Sequence, residues 1–180
     1  MIKQHFPQLL DNMSTTVSPM CGVSRMIKAE DPETVTVFIG PCIAKKSETM
    51  DLNIQGNADY AMTLGEIRAM MRAKGVELEP EENTLQNGSV FGKRFGNGGG
   101  VTAAVLQCLK EQGENADINV MKCNGAAECK KALLLMKVGK LPADFVEGMA
   151  CVGGCVGGPS KHKTEQEAKK ARDTLIGQAD

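Results

Sequence analysis

In the run Glu147-Gly-Met-Ala-Cys-Val-Gly-Gly-Cys-Val-Gly-Gly158, two thiols, Cys151 and Cys155, have three residues between them in a stretch of Gly and small side chains. Gly carries no Cβ, so the backbone reaches unusual angles and wraps closely around a bulky group. Thiolates presented in this way suit an iron–sulfur cluster, zinc or redox chemistry. A second segment, Pro41-Cys-Ile-Ala-Lys-Lys-Ser-Glu48, sets Cys42 near the ammonium groups of Lys45 and Lys46. By default those lysines are solvated surface charges. Beside a thiolate, an ammonium lowers the thiol pKa and hydrogen-bonds an anionic ligand.

The glycines around Cys151 and Cys155 have no evident packing purpose in the sequence, which assigns that loop to a cofactor. The other cysteines read differently. Cys108 and Cys129 fall inside expected helices, where a buried thiol acts as a small hydrophobe. Cys21 is ambiguous, and Cys123, beside Asn124-Gly125, is either a thiol in a tight turn or a further ligand. Zinc competes as the metal, but paired Cys-x-x-Cys knuckles are missing. A thioredoxin-like exchange site would want the same absent spacing. Phe95-Gly-Asn-Gly-Gly-Gly100 ahead of a helix lacks the dinucleotide fingerprint and reads as close backbone packing or one wall of a cofactor cleft.

These residues need a frame to hold them. The β-branched run Thr34–Ile39 predicts a strand, followed by Asp59–Met62, Ile118–Lys122 and Asp144–Glu147. Helices are expected over Ile2–Leu10, with Pro7 against its continuity, and over Met20–Lys28. Further helices are expected from Thr63 to Lys74, Val101 to Glu111, Ala126 to Val138 and Thr164 to Ile176, with Val76–Asn87 a loop. Thr63-Leu-Gly-Glu66 is a capping box. This alternation predicts an α/β fold: a mostly parallel sheet of about four strands with helices on both faces. Ligands of such sheets collect at the carboxyl ends of the strands, and Cys42, Cys123 and Cys151 each follow an expected strand, with Cys155 just beyond. So the topology predicts up to four thiols at one sheet edge. No internal repeat or linker is visible, and residues 1–180 read as a single domain.

At 180 residues and 42% hydrophobic content, the chain is long enough to bury a core. A net charge of −1 with interspersed signs makes no case for nucleic acid or an anionic membrane. No apolar run approaches the ~20 residues of a membrane helix, and the start lacks a secretory pattern, so a cytoplasmic setting is expected. Seven Cys there do not read as a disulfide framework. Of the eleven Met, most are expected to fill irregular core gaps.

Pro41–Glu48 and Met149–Gly158 resemble the second and third cluster-binding motifs of the iron-only (FeFe) hydrogenases. Phe6–Pro19 is similar to the segment after that family's first motif, and Phe95–Val101 to another of its glycine turns. The resemblance spans most of the chain in the right order. It implies one lobe of the large subunit's catalytic domain, around a 4Fe-4S cubane joined to a di-iron subcluster. By motif position, Cys42, Cys151 and Cys155 are implied as iron ligands, with Cys155 the bridge. Lys45 is implied as a donor to a cyanide of the di-iron unit, Ser14 as a hydroxyl in the proton path, and Met149 as a packing residue. The implied activity is reversible proton reduction to hydrogen with ferredoxin-like electron donors.

Three departures shape the expectation. The family's Thr-Ser-Cys-Cys-Pro motif would sit immediately before Met1 and is absent. Gly40 stands where catalytic members carry Met, and the third motif closes as Gly-Gly-Pro-Ser160. The chain therefore reads as a C-terminal lobe of a longer protein, inactive alone, whose partner is the missing N-terminal lobe. Its uncovered apolar face is expected to drive self-association. Two alternatives are a hydrogen-sensing regulatory relative, which Gly40 favours, and a non-catalytic iron–sulfur binding module, against which Lys45 speaks.

Overall fold

The computed structural model describes residues 1–77, 79 and 89–177. The loop expected over Val76–Asn87 lies mostly outside them. In chain order the elements are α1 (Ile2–His5), α2 (Pro19–Glu30), β1 (Val37–Gly40), α3 (Ala44–Thr49), β2 (Tyr60–Thr63) and α4 (Leu64–Ala73). Then come α5 (Val90–Arg94), α6 (Gly100–Glu111), β3 (Val120–Asn124), α7 (Ala126–Lys137), β4 (Phe145–Met149) and α8 (Glu165–Ile176). Pro7 ends α1, and a 3-10 turn, Pro7–Asn12, takes over. The capping boxes at Thr63/Glu66 and Thr164/Glu167 are both formed.

The fold is α/β with parallel strands, as the alternation predicts. The four strands are divided between two sheets: β1 pairs with β2, and β3 with β4. Each pair opens on the same clamp. Asp59, just before β2, accepts from the Thr36 backbone N–H at 2.7 Å, and Asp144, just before β4, accepts from that of Asn119 at 2.9 Å. Thr36 and Asn119 thus spend their N–H groups on a carboxylate rather than on the ladder. Each first strand accordingly starts two or three residues later than its β-branched run suggests.

The chain forms two compact units. One comprises Ser14–Glu82 and Gly158–His162, and the other Met1–Met13, Asn83–Gly157 and Lys163–Asp180. The first holds β1 and β2. There the Ser24 and Thr36 hydroxyls, both buried, hydrogen-bond at 2.9 Å, and Cys21 is fully buried. The second holds β3 and β4. Its core joins Phe6 and Leu9 to Leu133 of α7, flanked by Ile2 and Met136.

Candidate functional site

The Cys151–Cys155 loop leaves the carboxyl end of β4 and is fixed at three backbone points in its unit. Gly125 N–H donates to the Met149 carbonyl at 2.7 Å, Gly153 N–H to Asn124 Oδ1 at 2.8 Å, and Cys155 N–H to the Gly96 carbonyl at 2.8 Å. The glycines do have a packing purpose, contrary to the expectation from sequence. A Cβ on Gly154 (φ +82°) would stand 2.2 Å from the Gly96 carbonyl oxygen, and one on Gly157 2.0 Å from that of Val152. Backbone here packs on backbone, which only Gly permits. The result is a built loop with Cys155 exposed and Cys151 half-buried.

Beneath it, Glu147 of β4 is 5% exposed, and its carboxylate accepts from Gly99 N–H (2.8 Å), Thr102 N–H (2.9 Å) and the Thr102 hydroxyl (2.6 Å). A strand carboxylate thus closes the N-terminus of α6, where first-turn N–H groups lack helical partners. This ties the Phe95–Gly100 turn to the strand that delivers the thiols. The turn is close backbone packing: a Cβ on Gly100 would lie 1.9 Å from the Arg94 carbonyl oxygen. A cavity of about 370 Å³, lined by Asn97, Asn124, Glu147 and Gly153 among others, flanks the loop.

In the other unit, Cys42 follows β1 and is half-buried. Lys45, in the first turn of α3, donates to Glu48 at 2.5 Å, while Glu48 also accepts from the Ser18 hydroxyl. Lys46 pairs with Glu66 of the α4 capping box. Ser14 is exposed, and its hydroxyl oxygen accepts from Thr16 N–H at 3.2 Å. Met149, half-buried, ends β4. Cys42 belongs to one unit and Cys123, Cys151 and Cys155 to the other, so no single sheet edge carries four thiols. The strand pairing, which is not local in sequence, decides this.

Two further thiols flank one strand position. Cys123 of β3 is 5% exposed and stands opposite Gly148 in the parallel register, where an added Cβ would lie 3.1 Å from the sulfur of Cys129 in α7. The Cys129 thiol donates to the Met149 carbonyl at 3.7 Å. Burial pushes both thiols above their ordinary pKa. Cys129 was expected only to fill space. Its six-residue offset from Cys123 carries no familiar motif, and Glu147, visible in the run, gave no sign of partners some 45 residues away.

Among the described residues, no three His, Cys, Asp or Glu side chains are gathered as a ready-made metal site. The donor chemistry nevertheless fits an iron–sulfur group: soft thiols at strand ends, two of them on a loop fixed by its own backbone.

Residues 1–159 match the family described as "Iron only hydrogenase large subunit, C-terminal domain", and the chain belongs to that family. It is 29% identical to the periplasmic Fe hydrogenase large subunit of Nitratidesulfovibrio vulgaris, over 86% of this chain and 47% of that protein. It is 22% identical to a probable cytosolic Fe-S cluster assembly factor of Brugia malayi, over 96% of this chain and 49% of that one. A solved structure of an FeFe-hydrogenase from Chlamydomonas reinhardtii shares the fold, with a TM-score of 0.63 at 18% identity over 98% of this chain and 63% of that chain. The chain spans about half the length, or less, of the curated relatives it matches. No described helix is long and apolar enough to cross a membrane.

Proposed function

We propose that the chain is the cofactor-holding C-terminal lobe of an iron-only hydrogenase, serving reversible proton reduction to hydrogen in a cytoplasmic setting. The observation that carries this is the backbone-fixed loop presenting Cys151 and Cys155 after β4, within a family match over most of the chain. Cys42, Cys151 and Cys155 would hold iron as thiolates, with Cys155 shared between a 4Fe-4S cubane and a di-iron unit. When bound, that group supplies one-electron storage and an iron site for protons and hydrogen. Lys45 would turn its ammonium from Glu48 to an anionic cyanide, a compact donor meeting a compact anion. Ser14, at the surface, would pass protons, and Met149 would pack beside the cofactor. The partners are the preceding lobe of the same protein and a ferredoxin-like carrier. Exposed apolar side chains at Val37, Ile39 and Tyr60 on the β1–β2 pair support a covering partner.

One observation favours a second reading, a sensor-type or non-catalytic iron–sulfur protein. Gly40 is buried, and a Cβ there would stand 2.8 Å from the Phe38 ring, so a larger residue at 40 needs Phe38 to move. The similarity to a probable Fe-S cluster assembly factor points the same way.

The test is anaerobic reconstitution with iron and sulfide, with iron counting, electron paramagnetic resonance and infrared spectroscopy. About four irons per chain, lost in Cys151→Ser and Cys155→Ser, are expected. Full iron retained in those variants overturns the assignment. Cyanide bands on material matured in a hydrogenase-producing host support the di-iron reading, and a cluster without them supports the second.

A further inference from the structure

Between Cys151 and Cys155 the loop spends its backbone N–H groups on the protein itself. Gly153 N–H donates to Asn124 Oδ1 at 2.8 Å, Gly154 N–H to the Cys151 carbonyl at 3.1 Å, and Cys155 N–H to the Gly96 carbonyl at 2.8 Å. Two of these acceptors are backbone carbonyls. The third is a side chain, and it comes from the neighbouring strand. Asn124 ends β3 in parallel register with Met149, the last residue of β4 before the loop. Its own N–H donates to Glu128 of α7 at 2.7 Å, and the next N–H, of Gly125, donates to the Met149 carbonyl at 2.7 Å. The Asn124 amide is thus carried on a backbone held by both its neighbours, and Gly153 meets it at φ +80°, where Gly is at home.

This arrangement bears on charge. An N–H aimed at a sulfur stabilises negative charge there, and such hydrogen bonds are among the levers that set the potential of an iron–sulfur cluster. An added electron increases the negative charge, so each such donor raises the potential. Gly153 stands midway between the two thiols in sequence, and its N–H is tied to Asn124.

We propose that Asn124 is a positioning residue that keeps the Gly153 N–H from the sulfurs of Cys151 and Cys155 and so holds the reduction potential of the bound cluster low. This rests on the cofactor reading above and adds to it a residue outside the cysteine motifs. Protons near neutral pH accept electrons only from a low-potential donor, so the device agrees with the proposed chemistry. Asn124 is exposed, and without its amide the loop keeps the Gly125–Met149 and Cys155–Gly96 bonds. Asn124→Ala should therefore fold.

The full chain is compared as wild type, Asn124→Ala and Asn124→Asp. Amide hydrogen exchange is measured without iron. After reconstitution with iron and sulfide, a dithionite titration is followed by electron paramagnetic resonance. Exchange at Gly153 should quicken about fivefold in Asn124→Ala, as one lost hydrogen bond implies, and stay slow in Asn124→Asp, which keeps an acceptor. The midpoint potential should rise in Asn124→Ala. In Asn124→Asp, whose carboxylate accepts the same N–H and adds a negative charge, it should lie at or below wild type. A loaded Asn124→Ala chain with the wild-type potential overturns the proposal, as does Gly153 exchange that is the same in wild type and Asn124→Ala. If Asn124→Ala takes up no cluster, a raised potential or quickened Gly153 exchange in Asn124→Asp overturns it. A wild-type chain that binds no iron sinks the cofactor reading and this proposal together, whereas the other outcomes leave that reading standing.

Discussion

Thr102 gives Glu147 both its backbone N–H and its hydroxyl, at 2.9 and 2.6 Å, on a single carboxylate oxygen. With Gly99 N–H on the other oxygen, three donors would be orphaned in the interior by one truncation. Glu147→Ala is therefore expected to destabilise the β3–β4 unit by on the order of 3 kcal/mol. Thr102→Val, which removes only the hydroxyl, should cost about 1 kcal/mol. Urea denaturation of both variants measures this, and equal losses would show that the hydroxyl alone carries the contact.

Gly154→Ala is expected to disrupt the thiol loop, because a positive φ and a carbonyl 2.2 Å from the new Cβ act together. Iron uptake should fall with it. Gly113, also at positive φ but in open space, is the control: Gly113→Ala should cost about 1 kcal/mol and leave iron uptake intact.

Acid should weaken the β1–β2 unit in a definite window. Asp59 is held at about 2, from an ordinary 3.8, by hydrogen bonds from Lys28 and then Thr36. Glu66 is held at about 2 by Lys46 and Thr63. Both folded values lie below the unfolded ones, so this stability is fully present above about pH 5 and is lost as pH falls from about 4 toward 2. Asp59→Asn should flatten the acid limb of a stability-against-pH profile, and an unchanged limb would exclude Asp59 as its source.

Lys45 offers a test of purpose. Its ion pair with Glu48 is partly exposed, and such pairs are worth about 0–1 kcal/mol. Lys45→Ala should leave stability within that range and the iron count unchanged, because an ammonium is no iron ligand, while shifting any cyanide band in the infrared. A loss of several kcal/mol would make Lys45 structural.

The strip formed by Val37, Ile39 and Tyr60 should drive self-association of this chain at micromolar concentration. Ile39→Lys is expected to shift sedimentation toward the monomer, and an unchanged profile would place any contact elsewhere.

Much of this frame was legible because its signals are local. Thr63 and Glu66 announce a helix start within four residues, and the Gly-Cys run announces its own importance. What escaped is what the chain closes over distance. That Val37 pairs with Tyr60 while Val120 pairs with Phe145, giving two sheets instead of one, depends on partners that no window contains. The short helix Ala44–Thr49 lay hidden in a segment read only for its chemistry. The glycines of the thiol loop were read as room for a ligand, whereas Gly96 and Val152 carbonyls occupy that room. Cys129 comes against Gly148, the register partner of Cys123, only because a strand runs through Gly125 into a helix, a geometry their spacing does not announce.

The packing of Phe6 and Leu9 on Leu133 has a consequence for biosynthesis. These side chains emerge from the ribosome well over a hundred residues ahead of their partner. The Ser14–Glu82 segment has its strands β1 and β2 and helix α4 to hand long before then. Phe6 and Leu9 are thus covered only after most of residues 1–180 have been made, and until α7 appears they stay exposed on the nascent chain, a natural site for a chaperone to hold.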